Sequence, residues 1–319
     1  MVDQPAKKIS LLQIGRLTPR TEARLREKFA VACLREQADK ETFLAGEGAR
    51  FRAVVTSGGE KVSADLISAL PALQVIGTRG VGYDHIDLVA AKDRGIAVSN
   101  TPDVLTDCVA DLAFGALIAV ARRLAAADRF VRRGDWLKGG YPLATRVSGK
   151  RLGIVGFGRI GQAVARRASG FAMEVRYHSL RTSPDAAAGY VASLPTLATW
   201  ADFLVVCVPG GETTRHLISA AVLEALGPKG YLVNVARGSV VDEEALVRAL
   251  EQGKIAGAAL DVFQCEPRVP AALTGRDNVV LLPHIASSTR ETFAAMEDLL
   301  FDNLCSFFAT GRLLTPVNR

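Results

Sequence analysis

The 319-residue chain has only five cysteines, at positions 33, 108, 207, 265 and 305, and no two of them form a C-x-x-C pair. An odd count without metal-type or disulfide-type spacing argues against a zinc module and against a disulfide-stapled secreted domain. It fits reduced thiols in a cytosol, and no metal site is expected. Low-complexity tracts and Pro- or Ser-rich linkers are also missing. The most apolar helical stretch, residues 109–127, is interrupted by Asp111, Arg122 and Arg123, so it is too short to span a bilayer and reads as a buried helix. Residues 1–10 are polar and lack the apolar region of a signal peptide, so a cytoplasmic location without export is expected. The formal net charge is +6, but the basic pairs at 7–8, 122–123, 132–133 and 166–167 lie far apart without aromatic interleaving. No nucleic-acid partner is expected. The charge reads as a solvated surface that helps attract anions.

Hydrophobic residues make up 49% of the chain, enough for substantial cores, and the length favours two domains. Short β-rich runs alternate with helical ones. A first series contains "KISLLQIG" from Lys8, "RAVVTSG" from Arg52, "LQVIGTRG" from Leu73 and "IAVSNT" from Ile96. A second contains "RLGIVGFG" from Arg151, "MEVRYHS" from Met173, "ADFLVVCV" from Ala201, "GYLVNVA" from Gly230, "IAGAALDVF" from Ile255 and "NVVLLPH" from Asn278. Such alternation implies right-handed crossovers and parallel sheets covered on both faces, an α/β class. The boundary is expected near Pro102, before a helical region over 103–134. A helical stretch over 287–312 would pack back on the first domain and make it discontinuous.

"GFGRIG" follows the apolar run 152–155 and opens a helical pattern. In that setting Gly156 allows a tight turn, Gly158 the close approach of a pyrophosphate, and Gly161 tight helix–strand packing. The helix N-terminus supplies free N–H groups and the positive end of the dipole for phosphates. A dinucleotide site is expected, the alternative being a glycine-rich turn in an alanine-rich chain. An NAD-selecting acid should close the next strand. "RYHSLRTS", residues 176–183, has none and offers Arg176, Ser179, Arg181 and Thr182 instead. Arginine and hydroxyl groups suit a 2′-phosphate that a carboxylate would repel, so NADP(H) is expected and NAD(H) is the alternative.

In a doubly wound sheet the chemistry sits at the carboxyl ends of the strands. "LVNVARG" ends at Arg237, "GAALDVFQCEP" offers Asp261 and Glu266, and "VVLLPH" ends at His284. An arginine can bind a substrate carboxylate and polarise the adjacent carbonyl, a histidine can supply the proton that accompanies hydride transfer, and a carboxylate can orient the imidazole. Each has a bland reading too: a turn cap, a surface acid before Pro267, a structural histidine.

These segments, with "GVGYDHIDL" and "VSNTPDVLTDCVADLAFGALIAVARR" upstream, resemble the D-isomer-specific 2-hydroxyacid dehydrogenases over nearly the whole chain. The resemblance implies a catalytic set of Arg237, Glu266 and His284, with His284 as proton donor. It implies Asp261 at the nicotinamide carboxamide and the backbone of Val81 and Gly82 at the substrate carboxylate. Cofactor contacts are expected from Gly156, Phe157, Gly158, Arg159, Ile160, Gly161, Ser179, Arg181, Thr182, Val208, Pro209, Val235, Ala236, Asp261 and Ala286. The implied fold is a pair of doubly wound parallel-sheet domains. A Rossmann-type cofactor domain, 103–285 with a dimerisation region at 103–143, is inserted into a smaller flavodoxin-like substrate domain, 1–102 plus 286–319. A homodimer is implied.

Within the family, the segment from Arg129 to Gly161 resembles the NADPH-dependent glyoxylate/hydroxypyruvate reductases and their relatives, the hydroxyphenylpyruvate reductases. One departure is Leu180, where the NADP-type pattern has arginine; Arg181 follows it. Trp136 would reach the partner subunit's site and limit substrate size, or else pack a dimer. The expected activity is NADPH-dependent reduction of glyoxylate or hydroxypyruvate to the D-2-hydroxy acid. The alternatives are a hydroxyphenylpyruvate reductase, another D-2-hydroxyacid dehydrogenase, or a dinucleotide-sensing corepressor-type binding module, which the same fold also serves.

Overall fold

A computed structural model of the chain describes residues 8–183 and 188–318, so the first seven residues of the polar amino terminus lie outside it. The chain divides into two compact units, Met1–Leu105 with Arg290–Arg319, and Thr106–Thr289. The expected boundaries at 102 and 285 fall a few residues short of both crossings. The divisions coincide with the starts of two helices, Thr106–Ala121 and Arg290–Thr310, and not with Pro102.

The first unit is built on five strands: β1 (Ser10–Gln13), β2 (Ala30–Cys33), β3 (Ala53–Ser57), β4 (Val75–Arg79) and β5 (Ala97–Ser99). Their order is β2-β1-β3-β4-β5 and every pairing is parallel, the flavodoxin-like arrangement. Successive residues go to opposite faces. Leu12, Val54, Ile76 and Val98 join one apolar cluster, while Leu11, Ala53, Val55 and Val75 join another. Both faces are therefore covered, which is why these strands read as continuous apolar runs. Helix Arg290–Thr310 closes the second face with Leu300 and Leu304, one turn apart.

The same helix buries a charge. Glu297 is fully buried and accepts from the backbone N–H of Thr18 at 3.0 Å, from the Thr18 hydroxyl and from Arg79 Nη1 at 2.8 Å. Thr18 is the N-cap of helix Pro19–Lys28, whose first turn has no cap from the Thr18 side chain. Burial pushes the Glu297 carboxyl up, but the bonds from Thr18, Thr21 and Arg79 outweigh it and hold the group below the ordinary glutamate range. The Arg79 guanidinium stacks over Phe293, 4.3 Å from the ring centroid.

The second unit holds β6 (Arg151–Val155), β7 (Glu174–His178), β8 (Gly189–Tyr190), β9 (Phe203–Val206), β10 (Tyr231–Asn234), β11 (Gly257–Leu260) and β12 (Val279–Leu281). The order is β12-β11-β10-β9-β6-β7-β8, again wholly parallel. The strand order reverses between β6 and β9, so the carboxyl ends of those two strands flank the topological switch point where ligands bind in Rossmann-type sheets. The ten strand segments expected from sequence are all present. The edge strands β2 and β8 were not foreseen. The helical region over 103–134 is two helices, Thr106–Ala121 and Leu124–Arg132, separated at Arg123, whose φ of 51° is left-handed.

A carboxylate held below its ordinary pKa adds stability above that pKa and loses it as the pH falls through the lower folded-state value. Replacing Glu297 by Gln should therefore lower Tm at neutral pH, by the equivalent of ~2 kcal/mol for one broken buried charged contact. The gap between wild type and Glu297→Gln should begin to narrow as the pH falls past about 4.3, the unperturbed glutamate pKa, and close only below the lower folded-state value. Scanning calorimetry against pH checks this, and a gap independent of pH would refute it.

Candidate active site

Three glycines answer to three constraints at the end of β6. Gly156 has a φ of 92°, and a Cβ there would lie 2.9 Å from the carbonyl oxygen of Cys207. Its N–H donates to the His178 carbonyl at 2.8 Å, tying the turn to the end of β7. A Cβ on Gly161 would come within 2.2 Å of the Gly156 carbonyl oxygen, so this residue sets how closely helix Arg159–Ser169 approaches the strand. Gly158 differs: nothing lies within 4 Å of its would-be Cβ, and as N-cap it offers the helix no side chain. Open space over an uncapped helix N-terminus suits a diphosphate, and the residues present fit a dinucleotide. Phe157 stacks on Tyr177 with ring centroids 4.0 Å apart, Arg159 is exposed and Ile160 is half-buried.

Beyond β7 the chain turns through Ser179, Leu180, Arg181, Thr182 and Ser183. Leu180 is 97% exposed, and Arg181 and Thr182 are exposed beside it. Arg181 has no side-chain partner among the described residues. Arg176 is otherwise engaged. It pairs with Glu174 at 2.9 Å and stacks on Trp200 at 4.4 Å, which removes it from the set of phosphate readers considered from sequence.

The remaining strand ends supply polar groups in order. After β9 come Cys207, Val208 and Pro209. Burial pushes the Cys207 thiol up to about 12, so it is no nucleophile at neutral pH. β10 ends in Asn234, which is 1% exposed. Its side chain accepts from the Ala236 N–H and donates to the Arg237 carbonyl, both at 3.0 Å, and so closes the turn through Val235, Ala236 and Arg237. Gly238 then lies against the backbone of Phe263 and Gln264, where a Cβ would be 1.9 Å from the Phe263 carbonyl carbon. That contact brings the Arg237 turn beside the loop carrying Glu266.

Glu266 accepts from the Phe263 N–H at 3.0 Å and from His284 Nδ1 at 2.7 Å. Burial works to raise its pKa, but the bonds from His284 and Phe263 and the charges of His284 and Arg237 hold it below the ordinary range. It is therefore ionised at neutral pH and accepts only, which assigns a proton to Nδ1 and leaves Nε2 to face outward chemistry. His284 has a φ of 55°, imposed by its neighbours. Its N–H bonds the Asp261 carbonyl, and the two Asp261 carboxylate oxygens take the N–H groups of Ile285 and Ala286, all at 2.8 Å. Asp261 is 2% exposed, and burial raises its pKa against those two bonds. The structure thus brings Arg237, Asp261, Glu266 and His284 to one edge of the sheet. Sequence reading missed Asn234 and Gly238; the signal for Asn234 was an amide closing an otherwise apolar buried strand.

In the first unit, the loop after β4 carries Val81 and Gly82. Asn100 donates to the Val81 carbonyl at 2.8 Å, and Thr101 brackets Gly80, accepting its N–H at 2.8 Å and donating its own to the Gly80 carbonyl at 2.9 Å. Trp136, in a short turn over Asp135–Leu137, is 67% exposed. Among the described residues no cluster of three or more His, Cys, Asp or Glu side chains could hold a metal, and no helix is long and apolar enough to cross a membrane.

Known proteins share this fold. The family described as D-isomer specific 2-hydroxyacid dehydrogenase, NAD binding domain, matches residues 114–286. A glyoxylate/hydroxypyruvate reductase A from Arabidopsis thaliana is 45% identical over 97% of this chain and 99% of its own length. A hydroxyphenylpyruvate reductase from Plectranthus scutellarioides is also 45% identical, with the same coverage. The crystal structure of an NADPH-dependent glyoxylate/hydroxypyruvate reductase from Sinorhizobium meliloti, in complex with NADP and malonate, superposes with a TM-score of 0.93 at 43% identity, covering 98% of this chain and 97% of that one. Full-length similarity at this level, over a sheet whose glycine turn and strand-end histidine are already accounted for physically, places the chain in the D-isomer-specific 2-hydroxyacid dehydrogenases, oxidoreductases that work with a nicotinamide dinucleotide.

Proposed function

We propose that this enzyme reduces glyoxylate or hydroxypyruvate to the D-2-hydroxy acid with NADPH. The observation that carries the reading is the His284–Glu266 pair at 2.7 Å, within the field of Arg237 at the carboxyl edge of a dinucleotide-binding sheet. When bound, the reduced nicotinamide supplies the hydride. Arg237 binds the substrate carboxylate and polarises the keto oxygen. His284 delivers a proton from Nε2 to the keto oxygen while Glu266 keeps the Nδ1 proton in place and stabilises charge on the ring. Gly156 to Gly161 hold the diphosphate, and Val208, Pro209, Val235, Ala236, Asp261 and Ala286 flank the ring end. NADP is favoured over NAD because no carboxylate closes β7, while Arg181 and Thr182 stand exposed there.

A homodimer is supported by the apolar groups exposed along residues 124–143: Leu124, Val131, Trp136, Leu137 and Leu143. Five free thiols fit a reducing cytoplasm. Reduction of hydroxyphenylpyruvate is a second reading, since the two plant relatives are equally identical to this chain.

Initial rates with NADPH and NADH across glyoxylate, hydroxypyruvate, pyruvate and hydroxyphenylpyruvate should show the highest kcat/KM for NADPH with the first two. A preference for NADH would overturn the cofactor assignment, and a preference for hydroxyphenylpyruvate would select the second reading. In His284→Asn, kcat should fall by roughly 10²–10⁴, the usual worth of a positioned general acid. The dissociation constant for NADPH should stay unchanged, and an unaltered kcat would remove His284 from the mechanism. If Trp136 limits substrate size, Trp136→Ala should raise kcat/KM for phenylpyruvate relative to glyoxylate; an unchanged ratio assigns it to packing alone.

A further inference from the structure

We propose that Tyr177 is the positioning residue for cofactor choice, its hydroxyl fixing the 179–183 turn so that Arg181 and Thr182 present donors to the 2′-phosphate of NADP(H). This rests on the reading of that turn as the 2′-phosphate site.

Tyr177 lies in β7 with its side chain 1% exposed. A buried phenol needs hydrogen-bond partners. It finds both on one residue outside the strand, accepting from the Ser183 N–H at 2.8 Å and donating to the Ser183 carbonyl at 3.4 Å. The ring lies nearly parallel to Phe157, the residue between Gly156 and Gly158, at an interplanar angle of 19°. One side chain therefore touches both the diphosphate turn and the far end of the adenosine-side turn.

The near end of that turn is anchored as well, through the Gly156 N–H bond to the His178 carbonyl. Inside it, the Ser179 hydroxyl donates to the Arg181 carbonyl. That proton is committed within the turn, so Ser179 shapes it and the phosphate donors are left to Arg181, Thr182 and the backbone. With Arg176 drawn off by Glu174 and Trp200 and Leu180 in solvent, the alignment of Arg181 depends on the backbone path. Holding a loop in its binding conformation removes an ordering cost that would otherwise weaken binding. The benefit is selective, because NAD has no 2′-phosphate for the turn to meet.

Tyr177→Phe keeps the ring and its stack and removes only the hydroxyl. Dissociation constants for NADP⁺ and NAD⁺, and for 2′,5′-ADP and 5′-AMP, can be measured by calorimetric titration of the full-length protein without turnover. The variant should bind NADP⁺ and 2′,5′-ADP roughly tenfold more weakly, the scale of one or two net hydrogen bonds. NAD⁺ and 5′-AMP should bind as in wild type, which also reports an intact fold. In Tyr177→Phe/Arg181→Ala the second substitution should add little to the first, since the two act through one contact. An unchanged NADP⁺/NAD⁺ ratio in Tyr177→Phe, or equal weakening of both, would overturn the proposal while leaving the phosphate site standing. Wild-type protein that binds 2′,5′-ADP no better than 5′-AMP would overturn the site reading and the proposal with it.

Discussion

Asp261 closes its strand with a carboxylate almost wholly out of water, and the turn that carries His284 hangs on it. A left-handed φ at a residue other than glycine costs about 1–2 kcal/mol. Here three hydrogen bonds to Asp261 offset that cost, one to its carbonyl and one to each carboxylate oxygen. The conformation is therefore a consequence of the buried acid. It aims the imidazole at Glu266, and without it the 2.7 Å contact has no reason to form.

The two carboxylates beside His284 are pushed in opposite directions by their surroundings. Asp261, nearly sealed, is raised by desolvation despite its two N–H bonds. Glu266, more open, is lowered by the bonds it accepts from His284 and the Phe263 N–H and by the nearby Arg237, against its own burial. Opposed environments of this kind assign roles to chemically similar groups. Glu266 is the one whose negative charge persists, as the proposed role of stabilising a positive imidazole during proton transfer requires. Asp261 serves through geometry.

Much of this was legible from residues alone, because the signals were steric or periodic. Buried parallel strands are continuous apolar runs. Gly156 and Gly161 sit where any side chain would strike backbone, and the strand ends could be read off in turn to reach Arg237, Asp261, Glu266 and His284. What escaped depended on tertiary context. β2, "AVAC", and β8, two residues long, are edge strands that exist because a neighbour pairs with them. Arg123 breaks a helical pattern that has no proline or glycine at that point. Arg176 and Arg181 look equivalent in the string "RYHSLRTS", yet one is claimed by Glu174 and Trp200, residues whose proximity only the fold creates.

A common device runs through the functional turns of the second unit. Asn234 bridges Ala236 and Arg237, Asp261 bridges Ile285 and Ala286, and Tyr177 brackets both backbone groups of Ser183. Each is a strand-end or near-end residue at most 2% exposed, and each gives its polar atoms to two backbone groups. Asn100 and Thr101 treat the Gly80–Val81 backbone of the first unit similarly. An unpaired buried polar atom costs on the order of 1–3 kcal/mol, so each of these side chains penalises every turn conformation but one. Loops on a rigid sheet would otherwise be the most variable parts of the molecule. Buried polar groups at the strand ends extend the order of the sheet outward by three to six residues. The turns fixed in this way are those to which the proposed function assigns the phosphates, the substrate carboxylate and the proton.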